Sequence, residues 1–81
     1  MEDPEEQYDG LLAGYVERGR TERIYVGVRE FKGSRFIDMR IFYESDEEWR
    51  PTQKGFTLPV DAFPEFAEAV GALGLALGFN E

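Results

Sequence analysis

IYVGVREFKGSRFIDMRIFY, residues 24–43, decides the fold. Ile24, Val26 and Val28 alternate with Tyr25, Gly27 and Arg29, the period-2 pattern of a strand with one buried face. Past Lys32-Gly33-Ser34 the alternation resumes, with Ile37, Met39 and Ile41 on one side and Asp38 and Arg40 on the other. A glycine between two such runs gives the backbone freedom that a tight hairpin needs. The stretch therefore predicts two antiparallel strands. Arg29, Phe31, Lys32, Arg35 and Arg40 set cations beside aromatic rings on these strands.

Working outward, Leu11 to Val16 reads as a first strand continuing toward Arg20 and ending at Gly19. A helical turn is the alternative for so short a run. Arg18, Arg20 and Arg23 gather at that turn, equally a basic cluster or a solvated turn near acids. Glu44 to Pro51 has a loop composition, with four acids and a proline. Trp49 within it is read as folding back over the sheet edge, with an exposed stacking platform as the other reading. Thr52 to Leu58 predicts a further short strand, and Gly55 marks a place where another backbone or a ligand comes close. From Pro59 to about Gly74 the spacing predicts a helix with Asp61 in its first turn. Phe63, Phe66, Ala67, Val70 and Leu73 form its apolar stripe, too wide for one small sheet alone. Strands followed by one helix give a small α+β domain with an antiparallel sheet.

The 81 residues make room for one domain, assigned here to residues 11–81 behind a flexible acidic leader, residues 1–10. A chain this short buries only about 60% of its unfolded surface, so a lone monomer is marginal and oligomerisation is expected. With no Cys and no His there is no disulfide, no thiol or imidazole chemistry and no ordinary zinc set. No paired acids suggest a carboxylate enzyme, no phosphate loop is present, and the adjacent Asp46, Glu47 and Glu48 do not have calcium-loop spacing. The reading is of a protein that is not an enzyme, with no cofactor and no metal. An acidic start and the lack of a long apolar run predict a soluble, cytoplasmic protein without membrane attachment.

The net charge of −8 by itself opposes binding to a polyanion. Its distribution does not. All nine cations lie between Arg18 and Lys54, together with seven of the seventeen acids. The sheet region is net positive and the ends are net negative, which matters over a Debye length of about 8–10 Å. Cations interleaved with aromatics on a sheet suit single-stranded nucleic acid, whose bases stack on rings while Lys and Arg follow the phosphates. Each residue also has a plainer role. Phe31 is as readily core, and Arg29 and Arg40 have Glu30 and Asp38 as partners. Tyr43 shares the parity of Ile37, Met39 and Ile41, which by pattern buries it.

IYVGVREFKG, FIDMRIFY and RPTQKGFTLP, followed by an amphipathic helix, resemble the C-terminal single-stranded-DNA-binding domain of the transcriptional coactivator family called positive cofactor four. The likeness runs from about Ile24 through Val70. It implies a curved four-stranded antiparallel sheet, a C-terminal helix, and a homodimer built through the helices. It also implies partners: single-stranded DNA, with RNA as a related possibility, and the transcription machinery. The location would then be a bacterial nucleoid or a nucleus. Carried over by motif, the nucleic-acid-binding positions are Arg29, Phe31, Lys32, Arg40, Tyr43, Arg50 and Lys54. Three departures remove cations or add acids: Ser34 in place of a Lys, Thr52-Gln53 in place of Gly-Arg, and a shorter, acidic 44–50 segment. Weaker binding is expected, and a protein-interaction module on the same fold is the rival reading.

Overall fold

The hairpin closes where the alternation places it. β2 (Glu22–Phe31) and β3 (Ser34–Ser45) pair antiparallel without a break, from Glu22 opposite Tyr43 to Phe31 opposite Ser34. Lys32 and Gly33 turn the chain with φ of 53° and 82°, the left-handed region that a two-residue hairpin turn of this hand requires. The computed structural model describes residues 4–9 and 11–79. In it β1 (Leu12–Glu17) joins β2, and β4 (Glu48–Pro59) joins β3, giving one antiparallel sheet in the order β1-β2-β3-β4. A 3₁₀ turn (Val60–Ala62) then leads into α2 (Phe63–Ala76). A single helical turn, α1 (Pro4–Gln7), precedes the sheet. Among the described residues no helix is long and apolar enough to cross a membrane.

Residues directly opposite each other in an antiparallel pair point to the same face. Ile24, Val26 and Val28 face Ile41, Met39 and Ile37, and Phe56 and Leu58 of β4 extend that apolar face. Arg23, Tyr25, Gly27 and Arg29 face Phe42, Arg40, Asp38 and Phe36 on the other side. The core lies largely on this second face. Tyr8, Tyr25 and Phe42 form its buried cluster, with Leu12 and Trp49 packed against them. Of the apolar face, only Ile37 is fully buried. The alternation identified the two faces correctly, but the one expected to be buried is the more open one in the single chain.

The cause lies in the leader. It was expected to hang loose over residues 1–10, yet its described residues 4–9 fold back on the sheet, and Tyr8 is 0% exposed. The Tyr8 ring rests on Gly27, where a Cβ would stand 2.6 Å from ring carbon Cδ1 and 3.1 Å from the Leu11 carbonyl oxygen. Asp9 Oδ2 accepts from the Glu30 N–H at 3.2 Å, and the Leu11 carbonyl accepts from the Val28 N–H at 3.1 Å. The segment thus crosses β2 before entering β1.

Two further expectations change. The supposed loop 44–51 is mostly strand, closed by Asp46 and Glu47 with φ of 55° and 65°. Acidic composition concealed a tight turn, because aspartate tolerates the left-handed conformation without a glycine. The helical segment opens with a 3₁₀ turn, in which Asp61 adds its charge to the first turn without making a side-chain cap bond. Gly55 does mark a close approach, since a Cβ there would collide with the Met39 carbonyl and the Arg40 Cα. The helix stripe remains uncovered. Phe66 meets Phe56 with ring centroids 5.9 Å apart, while Phe63, Val70, Leu73, Leu75 and Leu77 are exposed.

Gly27→Ala tests the docking of the leader. The added methyl must push the Tyr8 ring aside, and overpacking of this kind costs about 1–3 kcal/mol. Urea melts should show that loss, and hydrogen exchange at Tyr8, Asp9 and Leu11 should rise. Gly14→Ala, which meets nothing within 4 Å, is the control. A Gly27→Ala protein as stable as its parent would mean that the ring is not seated there.

Candidate nucleic-acid interface

The β2–β3 hairpin tip carries the most open ring of the expected set. Phe31 is 64% exposed, and the Lys32 Nζ lies 5.4 Å from its centroid. Phe31 continues the side of the strand that carries Arg29 and Tyr25. It is therefore not a core residue, one of the two readings the sequence leaves for it. The turn gives a rigid mount, because Lys32 and Gly33 are locked in left-handed backbone between two fully paired strands.

At the opposite end of the same two strands stand Tyr43 and Arg50, directly across from one another. Tyr43 lies nine residue steps along β3 from Ser34, about 30 Å at roughly 3.3 Å per residue. Tyr43 is exposed although its parity is that of Ile37, Met39 and Ile41. No bulge in β3 moves it, since its pairing with β2 is regular. It escapes burial because it lies at the end of the apolar face, past the rows that α2 approaches. Arg50 pairs with Glu48 at 3.4 Å and keeps a buried Nε without an acceptor.

Lys54 occupies a bulge. Arg40 is opposite Gly55 and Phe42 is opposite Pro51, so Thr52, Gln53 and Lys54 together stand against Ile41. The Thr52 hydroxyl donates to the Ile41 carbonyl at 2.7 Å and accepts the Lys54 N–H at 3.0 Å. Lys54 projects exposed beside a shallow depression lined by Ile24, Met39, Ile41 and Phe56.

Arg40 does not stand free at this surface. Its Nε and Nη2 donate to the two oxygens of Asp38 at 3.1 and 2.6 Å, and its Nη1 donates to the Thr52 carbonyl at 2.9 Å. Asp38 is 0% exposed and also accepts the Tyr8 hydroxyl at 2.9 Å. The fork-on-carboxylate bond to Asp38 holds the Arg40 guanidinium more firmly protonated than usual, against the opposing effect of its own burial. Burial first, then the bond to Asp38, pushes the Tyr8 phenol well above its ordinary value. The pairing with Asp38, one of the two roles the sequence leaves for Arg40, is present in the structure.

The seven expected positions therefore do not share one face. Arg29, Phe31 and Arg40 lie on the polar-aromatic side, Lys32 is in the turn, and Tyr43 and Arg50 follow the parity of the apolar side, as does Lys54 beside its depression. Arg35, opposite Glu30, is on the apolar side as well and does not extend the first group.

Sequence reasoning missed one constellation. The Arg23 guanidinium lies between Tyr15 and Trp49, 4.0 and 4.1 Å from their ring centroids, and donates to the Tyr25 hydroxyl at 2.9 Å. That bond is the main reason its pKa rises further. Trp49 folds back on the sheet, as expected, and Arg23 is what it folds onto. Pairing offered a signal: Glu17 and Arg23 are opposite, so Tyr15 and Arg23 fall on one face of neighbouring strands. Among the described residues no group of three or more acids could hold a metal ion.

Comparison with known proteins places this geometry. The sequence profile of the transcriptional coactivator p15 (PC4) family matches residues 19–69, more than half of the chain. The crystal structure of BPSL1147, a PC4 homologue from Burkholderia pseudomallei, superposes with a TM-score of 0.71 at 20% identity, over 78% of this chain and 94% of that one. The crystal structure of a MoSub1–ssDNA complex is 33% identical with a TM-score of 0.58, over 83% of this chain and 82% of that one. A second structure, of a MoSub1–DNA complex, has the same identity and TM-score and covers 87% of that chain. No curated protein sequence matches significantly.

Asp38→Asn probes the buried pair. Losing the carboxylate charge leaves the part-buried Arg40 guanidinium without its counter-ion, a loss of about 1–3 kcal/mol. Thermal and urea melts should both register it. A variant within about 1 kcal/mol of the parent would show that Arg40 readily swings to solvent, as an exposed pair can.

Proposed function

The chain belongs to the transcriptional coactivator p15 (PC4) family, and from that membership we propose that it binds single-stranded DNA as a homodimer, in transcription or in the handling of opened duplex. The observation that carries this reading is the exposed Phe31–Lys32 tip on a rigid hairpin, in a chain 33% identical to one solved with single-stranded DNA. A ring held open to solvent on a fixed strand end offers a stacking surface at little ordering cost, and Lys32 and Arg29 supply cations beside it. Tyr43 with Arg50, and Lys54 on its bulge, supply the same pairing of ring and charge at the other end of the sheet. In this reading Arg40 is the staple that fixes the bulge and not itself a phosphate ligand.

Self-association is supported by what a single chain leaves bare. The apolar side of the sheet is mostly half-buried, and the α2 stripe is exposed along its length. Contiguous apolar surface on this scale is unusual for a soluble monomer. A second copy laying its helix across the sheet would cover both at once.

Fluorescence anisotropy with a labelled oligo-dT tests the binding. The three proposed contact cations without an ion-pair partner, Arg29, Lys32 and Lys54, correspond to a slope of about −2 in log K against log salt, at roughly −0.7 per contact. Lys54→Ala should weaken binding and flatten the slope by about 0.7. Phe31→Ala should cost about 1–3 kcal/mol while leaving the slope unchanged, since stacking releases no counterions. An unlabelled RNA of matched sequence, added as competitor, reports the sugar preference. No binding at low salt would leave the fold serving protein interaction instead.

Leu73→Asp tests the dimer. Leu73 is 58% exposed in the single chain, so a charge there has little effect on the monomer but is intolerable under a partner. Sedimentation equilibrium should show a dimer for the parent and a monomer for the variant, with a lowered melting temperature. A parent that sediments as a monomer would refute the assembly.

A further inference from the structure

We propose that the slot beneath Tyr8 is a nucleobase-sized site, and that the acidic leader is a competitor for it built into the chain. The inference rests on the single-stranded-DNA reading above and names a second contact surface for it, on the polar-aromatic face.

The slot is made by an absence. Gly27 has no side chain, and the Tyr8 ring lies in the space that a Cβ would claim. Phe42 forms one wall, its ring centroid 6.2 Å from that of Tyr8, and Tyr25 backs Phe42 at 4.6 Å. At the far end the Asp38 carboxylate accepts the Tyr8 hydroxyl, held in place by Arg40. The space the Tyr8 ring fills, bounded by Gly27 and Phe42 with an anchored acceptor at its end, is one that an unpaired base could take in its stead. The plane stacks, and an imino or amino N–H on the base edge meets the carboxylate. Arg29, close enough to act electrostatically on the Tyr8 phenol, is placed for an adjoining phosphate.

The present occupant imitates such a ligand. Tyr8 supplies a ring and a donor, and the same segment carries Glu6 and Asp9 where a strand would carry phosphates. Outside that side chain it is held at the surface, by Asp9 Oδ2 on the Glu30 N–H and by α1 against β4. α1 has four residues and none of them is buried. The bonds Tyr8 N–H to Glu5 carbonyl and Asp9 N–H to Glu6 carbonyl are long, at 3.3 and 3.4 Å. A segment held by one buried ring and a few surface bonds opens at a lower free energy than the sheet beneath it. A tether this short presents its own ring at an effective concentration in the millimolar range, so a base must displace it at a cost in affinity.

The test uses the full-length chain and a labelled oligo-dT. Tyr8→Ala empties the slot and should tighten binding on the order of tenfold, the worth of one additional stacked base. A folded Tyr8→Ala protein that binds equally or more weakly overturns the proposal. Should that variant fail to fold, Glu6→Gln/Asp9→Asn keeps the ring in place and removes only the competing charge. It should tighten binding more than Glu65→Gln/Glu68→Gln, which removes the same charge from α2; equal effects overturn the proposal. In the unmodified protein, saturating oligo-dT should raise hydrogen exchange over residues 4–9, and slower or unchanged exchange overturns it. Binding by the unmodified chain with none of these changes refutes the slot alone. No binding by any of the proteins refutes the single-stranded-DNA reading, and the slot with it.

Discussion

A carboxylate out of reach of water has to be held, and the bonds that hold Asp38 organise much of this fold. Arg40 takes both its oxygens and Tyr8 caps one of them. Each partner then has a consequence. Arg40 reaches past Asp38 to the Thr52 carbonyl, which fixes the β4 bulge and with it the position of Lys54. Tyr8 brings the leader across β2 and completes the aromatic cluster with Tyr25 and Phe42. An isolated buried charge would cost many kcal/mol, whereas one paired and hydrogen-bonded on all sides costs little and selects a single arrangement. The arrangement selected has the leader down and the bulge shaped.

The sheet presents two faces that each need cover, and the chain is too short to cover both. The leader fills one. The other is left to α2, which leaves the sheet edge and touches it through Phe66 and Phe56. A helix kept near its own sheet would have buried its stripe within the monomer. Turned outward, its exposed Val70, Leu73 and Leu77 have no use except against another surface. The same feature that leaves the single chain marginal therefore favours association, and stability and assembly become one property.

What the sequence disclosed follows the range of each signal. Period-2 alternation with Gly33 between two runs is a local signal, so the β2–β3 hairpin was legible, though its strands run two residues further at the open end and Ser34 belongs to β3 and not to the turn. The Asp46–Glu47 turn was hidden because acids in a row resemble a loop, and nothing local reveals that two non-glycine residues will adopt positive φ. The burial of Tyr8 had no periodic trace at all. It depends on the missing side chain of Gly27, nineteen positions away, and on an acid on a third segment. The state of Arg40 lay between these cases. Asp38 and Arg40 are two apart on one strand and so share a face, which left an ion pair and a phosphate contact equally open. The burial of Asp38, which pattern does not report, brings the ion pair about.

Taking Arg40 out of the exposed set removes a cation from a chain that is already acidic, and that would seem to weaken any grip on a polyanion. Rigidity works in the other direction. A flexible lysine on a mobile loop loses side-chain and backbone freedom on every phosphate it meets, whereas a bulge already pinned by Arg40 and Thr52 has lost its backbone freedom on folding. Lys54 then gives up only its own rotamers when it binds. Phe31 gains likewise from a hairpin turn with no freedom left to lose. A few cations and rings fixed this way can serve where a larger number of loose ones would be needed.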